Sequence, residues 1–132
     1  NFRTFVLLGD GECNEGTVWE ATLFASSKKL NNLIVIVDFN GWQGTGRTKS
    51  ILNLNPFSEK WKSFGWNVKK INGHNHKQLY NSLKKKHSKP TVIIAKTTKG
   101  KGISFMEDDN NWHYRIPNIN EVEKAKKELG IK

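Results

Sequence analysis

Cysteine is nearly absent: the 132 residues contain one, Cys13. A single thiol cannot close an internal disulfide or build a zinc site, so a disulfide scaffold and a structural zinc domain are both excluded. Long apolar runs are missing too. No stretch approaches the roughly 18 residues that a membrane helix requires. The N-terminal residues show no basic segment followed by an apolar one, so no secretory leader is expected and a cytoplasmic setting is the default. Apolar residues make up only 36% of the chain, a low share for a self-sufficient domain, which suggests that part of the surface normally faces something else. Acidic residues are also scarce, 12 against 22 Lys and Arg, for a formal charge of +10. That excess points to an anionic partner, either nucleic acid or phosphorylated small molecules. A solvated basic surface would look the same. The lysines are scattered, the longest pure run being Lys84–Lys86, and no RNA-reading pattern of aromatic and basic residues is present.

What the chain does have is an order of elements. Phe5–Leu8 is a short apolar run that stops at Gly9-Asp10-Gly11, as a buried strand ending in a tight turn does. Thr17–Leu30 places Val18, Ala21 and Ala25 at helical spacing. Leu33–Val37 is continuous and β-branched, the mark of a strand covered on both faces. Ser58–Phe64 reads as a short helix, Asn67–Ile71 as a strand, His76–Lys86 as a helix and Thr91–Lys96 as a strand. Asn120–Leu129 reads as a closing helix with Asn120 as its cap and Glu123 three residues on. Strands alternating with helices predict an α/β fold with a mainly parallel sheet flanked by helices, in one domain. The long connections 38–56 and 97–118 are of the length that is functional or disordered.

Ligands of such sheets bind beyond the carboxyl ends of the strands, which singles out Asp10, Gly11 and Glu12, then Asp38 to Asn40, then Lys99 to Lys101. A carboxylate at Asp10 can take a hard cation. Gly11 leaves the backbone open to a phosphate, and a following helix aims its first N–H groups there. Asn40 adds a side-chain oxygen from the neighbouring strand, so the set suits Mg2+ on a diphosphate. Gly-Asp-Gly and Asn-Gly taken singly are ordinary turn sequences. The order and the separation of Asp10 and Asn40 carry the reading. The lysines of 96–102 suit phosphate oxygens as point charges or form a solvated turn. His113 is suited to proton transfer near neutral pH. Glu12 and Glu15 fit the dipole of a helix start, whereas Glu20 lies a turn too far in. Trp61 and Trp66 read as core or contact residues.

Gly9-Asp-Gly-Glu-Cys-Asn-Glu-Gly-Thr-Val-Trp-Glu-Ala21 followed by Asn32-Leu-Ile-Val-Ile-Val-Asp-Phe-Asn40 closely resembles the thiamine diphosphate motif of the transketolase family. Lys60–Trp66, Ile71–His74 and Lys96–Glu107 leading to Trp112-His113 agree with it in order. The resemblance implies the C-terminal part of a transketolase-type diphosphate-binding domain, spanning 1–132. It implies Asp10, Asn40 and the carbonyl of Trp42 as ligands of Mg2+, or of another divalent cation such as Ca2+. It implies that Asp10, Gly11, Glu12, Asn40, Lys99 and His113 bind the cofactor, with His113 also catalytic, and that Glu15 and Glu20 meet a partner subunit. Two-carbon ketol transfer between sugar phosphates, a pyrimidine-binding domain or subunit, and a homodimer or heterotetramer are implied as well, with neither nucleic acid nor membrane as partner. In the family roughly a hundred further residues precede this motif within the domain, and the pyrimidine-binding domain carries the glutamate that activates the cofactor. The segment by itself is therefore expected to be inactive. Tyr114 stands where many relatives have Gly, and Trp42 where they have a smaller aliphatic residue. The rival readings are a deoxyxylulose phosphate synthase-like enzyme, a basic nucleic-acid-binding α/β domain and a degenerate scaffold protein.

Overall fold

The computed structural model describes residues 2–131, and the chain divides into two compact units, Asn1–Thr97 and Thr98–Lys132. In the first unit the strands β1 (Thr4–Gly9), β2 (Leu33–Phe39), β5 (Asn67–Asn72) and β6 (Thr91–Lys96) form one sheet in the order β1-β2-β6-β5. Every pairing in it is parallel. The helices α1 (Gly16–Ser27), α3 (Phe57–Ser63) and α4 (His76–Lys84) connect the strands. The α/β architecture expected from the alternation is thus the one observed.

Register explains the core. Val6, Val35 and Val92 stand side by side across three strands, as do Leu8, Val37 and Ile94. Their side chains share one face of the sheet, because alternate strand residues point the same way. That face packs with Ala25 of α1 and with Trp61 and Trp66, all buried. Trp19, Phe57, Trp61 and Trp66 meet edge-on or tilted, with centroids 4.9–6.2 Å apart, an arrangement that adds about 0.5–1.5 kcal/mol per pair to the burial itself. The opposite face buries Ile34 and Ile93 at the centre and leaves Phe5 and Leu7 of β1 exposed.

Four local expectations change. On α1 the buried partner of Ala25 is Thr22, not Ala21, which is exposed. The Thr22 hydroxyl donates to the Val18 carbonyl at 2.6 Å, and the indole of Trp66 donates to the Thr22 carbonyl at 2.8 Å. A hydroxyl that bonds its own helix can be buried without leaving a polar group unsatisfied. The helix after Gly11 does not begin there: a 3-10 turn, Glu12–Asn14, intervenes. The connection 38–56 is structured, as a hairpin of β3 (Trp42–Gln43) and β4 (Gly46–Arg47) followed by α2 (Thr48–Ile51).

The fourth change lies in the second unit, which consists of turns, a 3-10 segment at Asn110–His113 and the helix α5 (Ile119–Glu128). The cap of α5 is Asn118, with Glu121 completing a reciprocal capping box, rather than Asn120 with Glu123. Both pairs satisfy the sequence rule. The helix keeps its expected length of 10 residues but is shifted one position towards the N-terminus, and Glu121 pairs with Arg115. Gly100 is at φ +70°, and a methyl group there would come 2.3 Å from the Met106 carbonyl oxygen, so this turn accepts only glycine.

Candidate functional site

The carboxyl ends of β1 and β2 lie side by side, Gly9 opposite Asp38, and the chain leaves both at the same edge of the sheet. Asp10, one residue past β1, is 1% exposed. Its Oδ2 accepts from the Gly41 backbone N–H at 2.8 Å and from the Thr48 hydroxyl at 3.0 Å. Its Oδ1 is buried and has no hydrogen-bond partner among the described residues. Such an orphaned acceptor costs about 1–3 kcal/mol. Burial pushes the Asp10 carboxyl above its ordinary value, against the pull of Thr48, Gly41 and Gly11, and the nearby Asp38 pushes the same way as burial.

Asn40 follows β2 and accepts the Trp42 N–H on its Oδ1 at 2.8 Å, while its amide donates to Asp38 Oδ2 at 3.0 Å. The other oxygen of Asp38 takes the Thr97 hydroxyl. The peptide that joins Asn40 to Gly41 is the one bonded to Asp10, so the two predicted cation ligands stand at one strand-end cluster. Trp42 opens β3, and its ring lies 3.6 Å under the Arg47 guanidinium. Glu12 folds back so that its Oε2 accepts the Gly9 N–H at 2.5 Å, closing the turn. The bare side of Gly11 is not open: a methyl group there would be 3.1 Å from Gln43 Cγ.

Carboxylates at positions 10, 12 and 38 make this edge acidic within a chain of net charge +10. An unpaired buried carboxylate oxygen beside a second carboxylate is a site short of positive charge. The available donors are all oxygens, and among the described residues no group of three or more His, Cys, Asp or Glu could hold a metal ion. One carboxylate and one amide oxygen fit a hard divalent cation that keeps water and phosphate oxygens in its shell, and do not fit zinc.

In the second unit, Lys99 is partly buried, and its carbonyl accepts the Asp108 N–H at 2.9 Å. His113 is exposed at the end of the 3-10 segment, its ring 4.7 Å from that of Tyr114. The neighbouring Trp112 is held by an indole bond to the Phe105 carbonyl at 2.9 Å and lies under Arg115. Glu15, in the first unit, occupies the N-cap position of α1 without a side-chain capping bond, and Glu20 is further along that helix. Both are exposed.

A family model described as transketolase, thiamine diphosphate binding domain, matches residues 1–132. The chain belongs to the transketolase family. It is 45% identical over 129 residues to an apulose-4-phosphate transketolase subunit of Actinobacillus succinogenes, covering 96% of this chain and 47% of that protein. It is 36% identical over 132 residues to the protein of the same name from Phocaeicola vulgatus, covering 98% and 47%. The chain thus spans about half the length of these curated relatives. The crystal structure of the transketolase of Campylobacter jejuni matches with a TM-score of 0.94 at 33% identity, over all of this chain and 21% of that one.

In this transketolase-family chain, the residues around Asp10 that sequence reasoning missed are Thr48, Gln43 and the Gly41 N–H. Thr48 is 38 positions from Asp10 and carries no local signal. It reaches the carboxylate because the β3–β4 hairpin turns the chain back over the strand ends.

Proposed function

We propose that residues 1–132 are the part of a thiamine diphosphate-dependent transketolase that holds the cofactor's diphosphate through a divalent cation, Mg2+ in the first instance. The observation that carries this reading is the unpaired, buried Oδ1 of Asp10 in an acidic strand-end cluster. Asp10, the side-chain oxygen of Asn40 and the carbonyl of Trp42 would ligate the ion. Gly11 and Glu12 would line the diphosphate, and Lys99 would offset its charge.

Thiamine diphosphate, when bound, supplies the stabilised carbanion chemistry of two-carbon ketol transfer between sugar phosphates. The chain's own residues bind and orient. Asp10, held through Oδ2 by Gly41 and Thr48, would offer its unpaired Oδ1 to the ion, which is preorganisation in the electrostatic sense. His113 would hold or move a proton at a sugar oxygen, and its exposure leaves it accessible to substrate. The basic surface favours phosphorylated sugars at encounter.

The relatives named as transketolase subunits imply a partner chain, which would bring the pyrimidine-binding part. Glu15 and Glu20 would face it, with the exposed Leu23 and Phe24 of α1 as apolar neighbours. In the assembled enzyme, calorimetry should find Mg2+-dependent cofactor binding that Asp10→Ala abolishes; unchanged affinity would remove the assignment. The chain alone should give no ketol transfer, and sustained turnover by it would overturn the division of labour.

A further inference from the structure

Gly11 is a glycine for a reason other than the one its motif suggests. The space that a side chain would need is filled by Gln43: Cγ, Cβ and Cδ of that residue lie 3.1–3.5 Å from where a Gly11 Cβ would be. Gln43 is held there by the short hairpin, where it pairs with Gly46. Its Nε2 is buried and has no hydrogen-bond partner among the described residues. Asn14, whose backbone N–H bonds the Gly11 carbonyl at 3.0 Å, is likewise inside with neither side-chain amide atom paired. Unpaired buried amides are rare, because each forfeits its bonds to water. Here they accompany the unpaired oxygen of Asp10 around a single loop. A carboxylate oxygen short of a cation on Asp10, and an amide N–H2 short of an acceptor on the residue packed against the adjoining Gly11, are together complementary to a cation–phosphate pair.

We infer that Gln43 is a further ligand-reading residue of this site: its side-chain amide, held across Gly11 by the hairpin, donates an N–H to a phosphoryl oxygen of the bound diphosphate. This role rests on the diphosphate reading proposed for the chain and deepens it. The amide is neutral, so it adds a directed donor without competing with the cation for the carboxylate of Asp10. Gly11 is the partner that makes its position possible.

The test uses the assembled enzyme, with this chain alone labelled with nitrogen-15, titrated with thiamine diphosphate and Mg2+ into the millimolar range. The side-chain amide resonances of Gln43 should shift together with the backbone amides of Gly11 and Gly41. Gln43→Met, close in shape but without the donor, should raise the dissociation constant roughly tenfold or more, as loss of a hydrogen bond to a charged group does. If the backbone amides shift while the Gln43 amide does not, and Gln43→Met binds as well as the parent chain and only melts earlier, Gln43 is a packing residue and the inference fails with the diphosphate reading intact. No shift at Gly11 or Gly41 would sink that reading, and this inference with it.

Discussion

The two units treat their candidate residues in opposite ways. In the first, Asp10 is sealed from solvent, two donors fix one of its oxygens, and the other is left with nothing to bond among the described residues. In the second, His113 is exposed at the end of a 3-10 turn, and the neighbouring hydrogen bonds serve the scaffold around it. A buried group with an unmet bond is strained until its ligand arrives, so it couples binding to stability. An exposed histidine costs the fold nothing and shows its worth only in a reaction. Stability and function should therefore separate cleanly in one unit and be entangled in the other.

The largest effect expected from that contrast is at His113. In the assembled enzyme His113→Ala should cut kcat by about 10²–10⁴-fold, the range for loss of a general acid–base group, with the melting temperature unmoved. A kcat within a factor of two of the parent would remove His113 from the chemistry. Asp10→Asn should weaken Mg2+-dependent cofactor binding roughly a hundredfold, about 3 kcal/mol for a buried charged ligand. The same change should make the metal-free protein more stable at neutral pH. Because the folded-state carboxyl is raised from 3.8, its contribution is fully present below that pH and is lost as pH rises through the folded value. The parent should lose stability over that window relative to Asp10→Asn, and Mg2+ should restore it. Parallel stability–pH curves for the two would break the coupling.

Thr48→Val, which keeps shape and removes one donor to Asp10, should cost about 1–2 kcal/mol of stability and weaken cation binding in step, as read by denaturation with and without Mg2+. Binding unaffected by Thr48→Val would show that the ion does not depend on how the carboxylate is held from behind. The smallest effect is at Cys13, fully buried, with its thiol pushed up to about 12 by burial and by Asp10 and Glu12. It should resist thiol reagents at mildly alkaline pH until the protein unfolds. Its share of stability, present below the ordinary thiol value of 9.0, should fade as the pH climbs towards about 12. Rapid labelling of the folded chain would show the Asp10 turn to be open.

Much of this was legible from residue order alone. Leu33–Val37 and Thr91–Lys96 announce buried strands because nothing but a two-sided sheet accepts so many consecutive β-branched side chains. Once they are parallel, Asp10 and Asn40 must emerge at one edge. The hairpin was not legible: two-residue strands have no periodicity to read, and Trp42-Gln43 and Gly46-Arg47 pair through turn geometry alone. Nor was the role of Thr48, a single hydroxyl brought in by that hairpin. At α5, Asn118 and Asn120 each precede a glutamate by three positions, so the sequence offered two equivalent caps; the structure uses Asn118, whose Glu121 also pairs with Arg115.

The outermost strand of the sheet has a practical consequence. Among the described residues β1 is hydrogen-bonded to a neighbouring strand on one side only, and Phe5 and Leu7 stand open beside its bare edge. Residues 1–132 purified by themselves would present that rim, which nucleates strand-by-strand accretion between molecules, opposed in dilute buffer by mutual repulsion of the cationic chains. Raising the salt concentration removes that repulsion, so purified material should cloud with added salt, and a lysine in place of Leu7 should keep it clear.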